Sequence, residues 1–154
     1  MLWLKGPNIF QSYLNQPQLT AEVLEEGWFK TGDLARIDED GFLYIEGRLS
    51  RFSKIGGEMV PHETLEAAIN KQFNFESEEE RAVAVIGIPD EAKGEALVLL
   101  AARDVKPEVL REKLLAAGLP SLWIPKKIKP VEQIPVLGSG KLDLGRCKEL
   151  ALAE

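Results

Sequence analysis

The chain has 154 residues, 45% hydrophobic and 29% charged, a balance that excludes a disordered segment and suffices for one good core or two small units. No apolar run approaches the roughly 20 residues of a membrane-spanning helix. The opening MLWLKGPNIF lacks the layout of a secretory signal, so the chain is expected in the cytoplasm. One cysteine, Cys147, and one histidine, His62, leave neither an internal disulfide nor a zinc-type cluster, and a net charge of −6 argues against a nucleic-acid partner.

Residues 1 to 46 carry Gly, Pro, Asn and Gln turns with scattered aromatics (Trp3, Phe10, Tyr13, Trp28, Phe29) and no long helical pattern. So short a piece is not expected to build its own core. After the DEDG turn, GFLYIEGR alternates Phe42 and Tyr44 with outward positions, which predicts a strand; RFSKI predicts another beyond Gly47. PHETLEAAINKQF predicts a helix with Pro61 in its first turn and Leu65, Ala68, Ile69 and Phe73 on one face. RAVAVIGIP and EALVLLAAR, separated by DEAKG, are nearly continuous runs of β-formers and predict buried strands. KPEVLREKLLAAGLP predicts a second helix with Leu110, Leu114 and Ala117 inward, stopped by Gly118 and Pro120. KIKPVEQIPV reads as extended, and a last helix is entered through Asp143. From residue 47 the order is strand, helix, two strands, helix, strand, helix. This is an α+β domain over residues 47–154, with a short, mostly antiparallel sheet flanked by helices. Residues 1–46 are expected to be the β-rich end of a larger domain.

Two charge runs stand out: Glu76, Glu78, Glu79 and Glu80 in NFESEEER, and Lys126, Lys127 and Lys129 in IPKKIKP. Either is readable as a solvated loop, and the lysines also as a surface for an acidic partner. IPVLGSGKLDL places Lys141 behind a glycine-rich turn, but a Walker loop would need glycine and Ser/Thr where Pro135 and Leu142 stand.

LWLKGPNIFQSYLNQP, EEGWFKTGDLARIDEDGFLYIEGR, FSKIGGEMVPHETLE and IPVLGSGKLDL occur together in the order and spacing of the adenylate-forming superfamily of acyl-CoA synthetases, luciferases and peptide-synthetase adenylation domains, which the chain resembles. The resemblance implies a mobile C-terminal lid preceded by the last strands of a large adenylation domain. The phosphate loop and most of the acyl pocket would lie elsewhere, so the chain alone is expected to be inactive. It also implies ATP, with Mg2+, as cofactor. Lys141 would bridge carboxylate and phosphate oxygens during adenylation. Asp33 would accept both ribose hydroxyls, or merely occupy a Gly-Asp turn. Arg48 would contact the nucleotide, or pair with local carboxylates.

The remaining correspondences are looser. Ser50 falls at the hinge, where relatives often have Asp or Lys. Gly56 and Gly57 would line the pantetheine tunnel, or form a plain tight turn. Met59 stands where many relatives have an arginine, so contacts through that side chain do not carry over. FSKIGGEMVPHETLE most resembles bacterial acyl-[acyl-carrier-protein] synthetases fused to 2-acylglycerophosphoethanolamine acyltransferase. That implies fatty acid and acyl carrier protein as partners, docking at Lys126, Lys127 and Lys129, and membrane association only through segments outside this chain. Coenzyme A as acceptor, in a long-chain acyl-CoA synthetase, and a non-catalytic docking module are the alternatives.

Overall fold

The computed structural model describes residues 1–75 and 80–153. Glu76, Glu78 and Glu79 of the acidic run lie outside them. Contacts divide the chain into two compact units, Met1–Ser50 and Arg51–Glu154. Gly47 and Arg48 belong with the first because they pair with Leu34 and Asp33.

The first unit opens with β1 (Trp3–Leu4), α1 (Pro17–Val23), β2 (Leu24–Glu25) and β3 (Trp28–Lys30), the strands forming an antiparallel sheet in the order β1-β3-β2. A separate ribbon pairs β4 (Asp33–Ile37) with β5 (Leu43–Arg48). No described residue of 1–50 is buried. The alternation through Phe42 and Tyr44 predicted an inward face, but Phe42, Leu43, Tyr44 and Ile45 are all exposed. A two-stranded ribbon has no second layer to bury a face against.

In the second unit, β6 (Phe52–Ile55) and β7 (Glu58–Pro61) form a hairpin, followed by α2 (His62–Phe73), β8 (Val83–Asp90), β9 (Gly94–Ala101), α3 (Pro107–Ala116), β10 (Lys127–Pro130) and α4 (Leu144–Leu152). Strand β9 lies antiparallel to β8, touches β6 at Gly94, and runs parallel to β10. The two β-former runs are buried on both faces. Val83, Val85, Leu97 and Leu99 pack with Leu65, Ile69, Leu110 and Leu114 of α2 and α3, while Ala84, Ile86, Val98 and Leu100 pack with Ile134 and with Cys147 and Ala151 of α4. Both parities are therefore apolar and the run reads as continuous.

Three details depart from expectation. EMVP is a strand, so Pro61 is not in the first helical turn; it caps α2 from an extended conformation and pairs with Phe52. Ala117 lies past the end of α3 and is exposed. The extended stretch after Lys126 is a strand only through Pro130, with a further isolated bridge between Val136 and Leu142. Among the described residues no helix is long and apolar enough to cross a membrane.

Candidate functional site

In the first unit the structure brings Asp33 and Arg48 together as cross-strand partners at the start of β4 and the end of β5. Arg48 Nε lies 2.8 Å from Asp33 Oδ1, and Arg48 Nη1 donates to the Thr31 carbonyl at 3.2 Å. Thr31 Oγ1 accepts the Asp33 N–H at 3.0 Å and donates to the Leu2 carbonyl. The threonine of KTGDL thus fixes the carboxylate's backbone, a role the sequence marked only by the Thr-Gly-Asp order. The Arg48 side chain is 63% exposed and that of Asp33 20%, so the pair is a screened surface contact that an incoming polar ligand displaces at little cost.

Lys141 lies in the second unit, on a loop closed by the Val136–Leu142 bridge and by backbone bonds from Leu137 N to Lys141 O (2.7 Å) and Gly140 N to Leu137 O (2.8 Å). Asp143 anchors the loop's end: its N–H donates to Pro135 O at 3.0 Å, and its side chain caps α4 by accepting from Arg146 N. Lys141 is exposed, and its ammonium has no ion-pair or hydrogen-bond partner among the described residues. The arrangement is a braced loop presenting a free cation to solvent.

Gly56 and Gly57 are the two central residues of the β6–β7 turn, with φ of 57° and 92°. Two consecutive positive φ values make the twisted two-residue hairpin connection, which strains any L side chain. A Cβ at either position would meet nothing within 4 Å, so the turn is open on the side where side chains would project. Beside it runs a groove of about 260 Å³ lined by Ile55, Leu97, Leu122 and Ile124, with Lys93 and Lys126 among its polar residues.

The three lysines of the run part company. Lys126 lines the groove and Lys127 is exposed. Lys129 instead donates to the carbonyls of Leu150 and Ala153 at the end of α4, and burial, then the neighbouring Lys127 charge, lowers its pKa. Ser50 sits inside a single 3-10 turn, Leu49–Arg51, at the unit boundary. Met59 is half-exposed on β7.

The residue after Ser50 opens a buried polar cluster. Arg51 donates to Glu66 Oε1 (2.5 Å) and to Val85 O (3.2 Å), while Val85 N donates to Glu66 Oε1 (2.7 Å). The two side chains thereby satisfy both backbone groups of Val85 on the open edge of β8. Ser53 Oγ lies 2.9 Å from His62 Nε2, and His62 Nδ1 is buried without a partner. Burial, then the Arg51 charge, holds His62 down to about 4. Only glycine fits at position 87, where a Cβ would stand 2.0 Å from Ser53 Oγ. Burial foremost, with Asp143 adding to it, pushes Cys147 up to about 11, which leaves it an inert core thiol.

Residues 76–141 match the AMP-binding enzyme C-terminal domain. The chain is 38% identical over 150 residues to 2-succinylbenzoate–CoA ligase of Geobacillus sp., covering 96% of this chain and 30% of that protein. It is 34% identical to the long-chain-fatty-acid–CoA ligase FadD13 of Mycobacterium tuberculosis, over 90% of this chain and 27% of that one. ATP-bound MatB from Rhodopseudomonas palustris superposes with a TM-score of 0.70 at 30% identity, covering 94% of this chain and 29% of that one. The fold and these matches define the class: a small α+β domain that matches the C-terminal domain of adenylate-forming enzymes, acyl-CoA ligases among them. It spans about 30% of the length of the curated relatives it matches.

Proposed function

We propose that this chain is the C-terminal part of an ATP-dependent acid–thiol ligase and that its second unit is the lid delivering Lys141 to the reacting phosphate. The observation that carries this reading is the braced loop holding an unpartnered Lys141 ammonium on a domain of the adenylate-forming fold. In the first half-reaction the acid's carboxylate attacks the α-phosphorus of ATP and pyrophosphate leaves. Both reactants are anionic, and a lysine between them offsets the charge that builds in the transition state. Asp33 meets the ribose hydroxyls with two acceptor oxygens; Arg48 turns from Oδ1 to the nucleotide. In the second half-reaction a pantetheine thiol, passing the open Gly56–Gly57 turn, attacks the adenylate carbonyl and AMP leaves. Ser50 marks the pivot between the two arrangements, in a turn whose next residue is tied into the second unit. Among the described residues no group of three or more acidic, histidine or cysteine side chains is placed to hold a metal ion.

The acceptor class is supported by the relatives, which are CoA ligases. The finer reading is an acyl carrier protein as acceptor, in an enzyme that supports lysophospholipid reacylation at the cytoplasmic face of the inner membrane. Its support is the FSKIGGEMVPHETLE motif and two lysines left free of α4, Lys126 at the groove and the exposed Lys127, rather than Lys129. In the full-length enzyme Lys141→Ala is expected to slow acid-dependent ATP–pyrophosphate exchange by ~10²- to 10³-fold, while transfer from preformed acyl-adenylate is spared. Equal loss in both half-reactions, or in neither, counts against the lid role. The same transfer assay run with coenzyme A and with the holo carrier protein identifies the acceptor.

A further inference from the structure

A two-residue glycine turn needs nothing beyond its own hairpin to reverse the chain. The Gly56–Gly57 turn is nonetheless held from outside at three points. Gly56 N donates to Lys93 O at 3.0 Å, and Lys54 N donates to Glu95 Oε2 at 2.6 Å, both from the segment joining β8 to β9 or the strand it enters. The third tie is long-range: Trp123 Nε1 donates to Glu58 Oε1 at 2.8 Å across 65 residues of sequence. The two partners are unequal. Trp123 packs against the larger core cluster, so its indole is immobilised and its single N–H has one direction to point. Glu58 is an exposed side chain on the strand leaving the turn, and a carboxylate there gains nothing from order unless a fixed donor holds it. The indole therefore sets the position of the hairpin tip relative to the sheet.

We propose that Trp123 and Glu58 are positioning residues for acyl transfer, holding the Gly56–Gly57 turn at the height where a thin thiol-bearing ligand passes it. This rests on the ligase reading above, in which that turn borders the path of the acceptor. The hydrogen bond acts through the turn and touches neither acid nor nucleotide. Its loss raises the acceptor's KM and leaves the adenylation half-reaction alone.

The experiment uses the full-length enzyme with coenzyme A and holo carrier protein as the acceptors assayed. Trp123→Phe keeps the packed ring and removes the donor; Glu58→Leu removes the acceptor; Glu58→Gln keeps a carbonyl oxygen in its place. The first two variants are expected to raise acceptor KM about tenfold in single-turnover transfer, with pyrophosphate exchange within about twofold of wild type and Glu58→Gln restoring most of the lost affinity. Unchanged acceptor KM in both Trp123→Phe and Glu58→Leu overturns the proposal, as does a parallel fall in exchange and transfer. A wild-type enzyme that shows no acid-dependent exchange overturns the ligase reading on which it stands, a result distinct from a failure of the brace alone.

Discussion

Buried ionisable side chains carry the most consequence at the level of single residues, and His62 is the clearest case. It is 3% exposed, sits at the start of α2 and meets only Ser53 through Nε2. A positive charge there loses hydration, faces the Arg51 guanidinium and opposes the positive end of the helix dipole. Its pKa is about 4 in the fold and about 6.5 in an unfolded chain. Between these values the unfolded state binds the extra proton, so stability is complete above about pH 6.5 and is lost as pH falls toward 4. The loss is on the order of 3 kcal/mol. Denaturant titrations between pH 7 and 4.5 are expected to show this decline in the wild type and a flatter profile in His62→Gln. Identical profiles would mean that the imidazole does not carry it.

Strand β8 shows how an element's edge dictates side chains far from it in sequence. Its inner edge pairs with β9 along its whole length, and at Val85 the outer edge is met by Glu66 from α2 and Arg51 from the 3-10 turn. Arg81 adds a second guanidinium to Glu66 at 3.3 Å. Glu66→Ala leaves the Val85 N–H without an acceptor and the buried Arg51 guanidinium with only the exposed Glu63 carboxylate at 3.8 Å, and is expected to cost ~3 kcal/mol in chemical denaturation. Glu66→Gln retains an acceptor for the amide and is expected to lose distinctly less; a loss as large as that of alanine would show that charge, not edge capping, dominates. Helix α4 depends similarly on Lys129, whose ammonium closes its C-terminal carbonyls. That is why a lysine run that reads as one patch in the sequence is divided between a groove and a helix cap.

Taken as a whole molecule, the chain has its core in one unit. All buried residues among those described fall within 51–151, none in 1–50. Local opening is easiest where few apolar contacts resist it. Hydrogen exchange on the 154-residue chain is therefore expected to find the amides of Val83–Asp90 and Gly94–Ala101 protected roughly 10²-fold or more beyond those of residues 1–50. Even protection from end to end would contradict the division.

Much of the second unit was legible residue by residue, because helical spacing at Leu65 and Ile69, continuous β-formers at 82–86 and 97–101, and the Asp143 cap are local signals that the packed structure reinforces. The adenylate-forming class was legible too, since four motifs in fixed order identify it without coordinates. Strand β7 was not, because four residues beginning with glutamate and ending in proline acquire strand character only from pairing with β6. Nor was the exposure of Phe42 and Tyr44, which alternation alone assigns to a face without saying whether anything covers it. The Arg51–Glu66 cap on Val85, the Trp123–Glu58 bond and the diversion of Lys129 join residues 15 to 65 positions apart. Side-chain hydrogen bonds of that reach leave no periodicity in a sequence, and only the tertiary structure decides them.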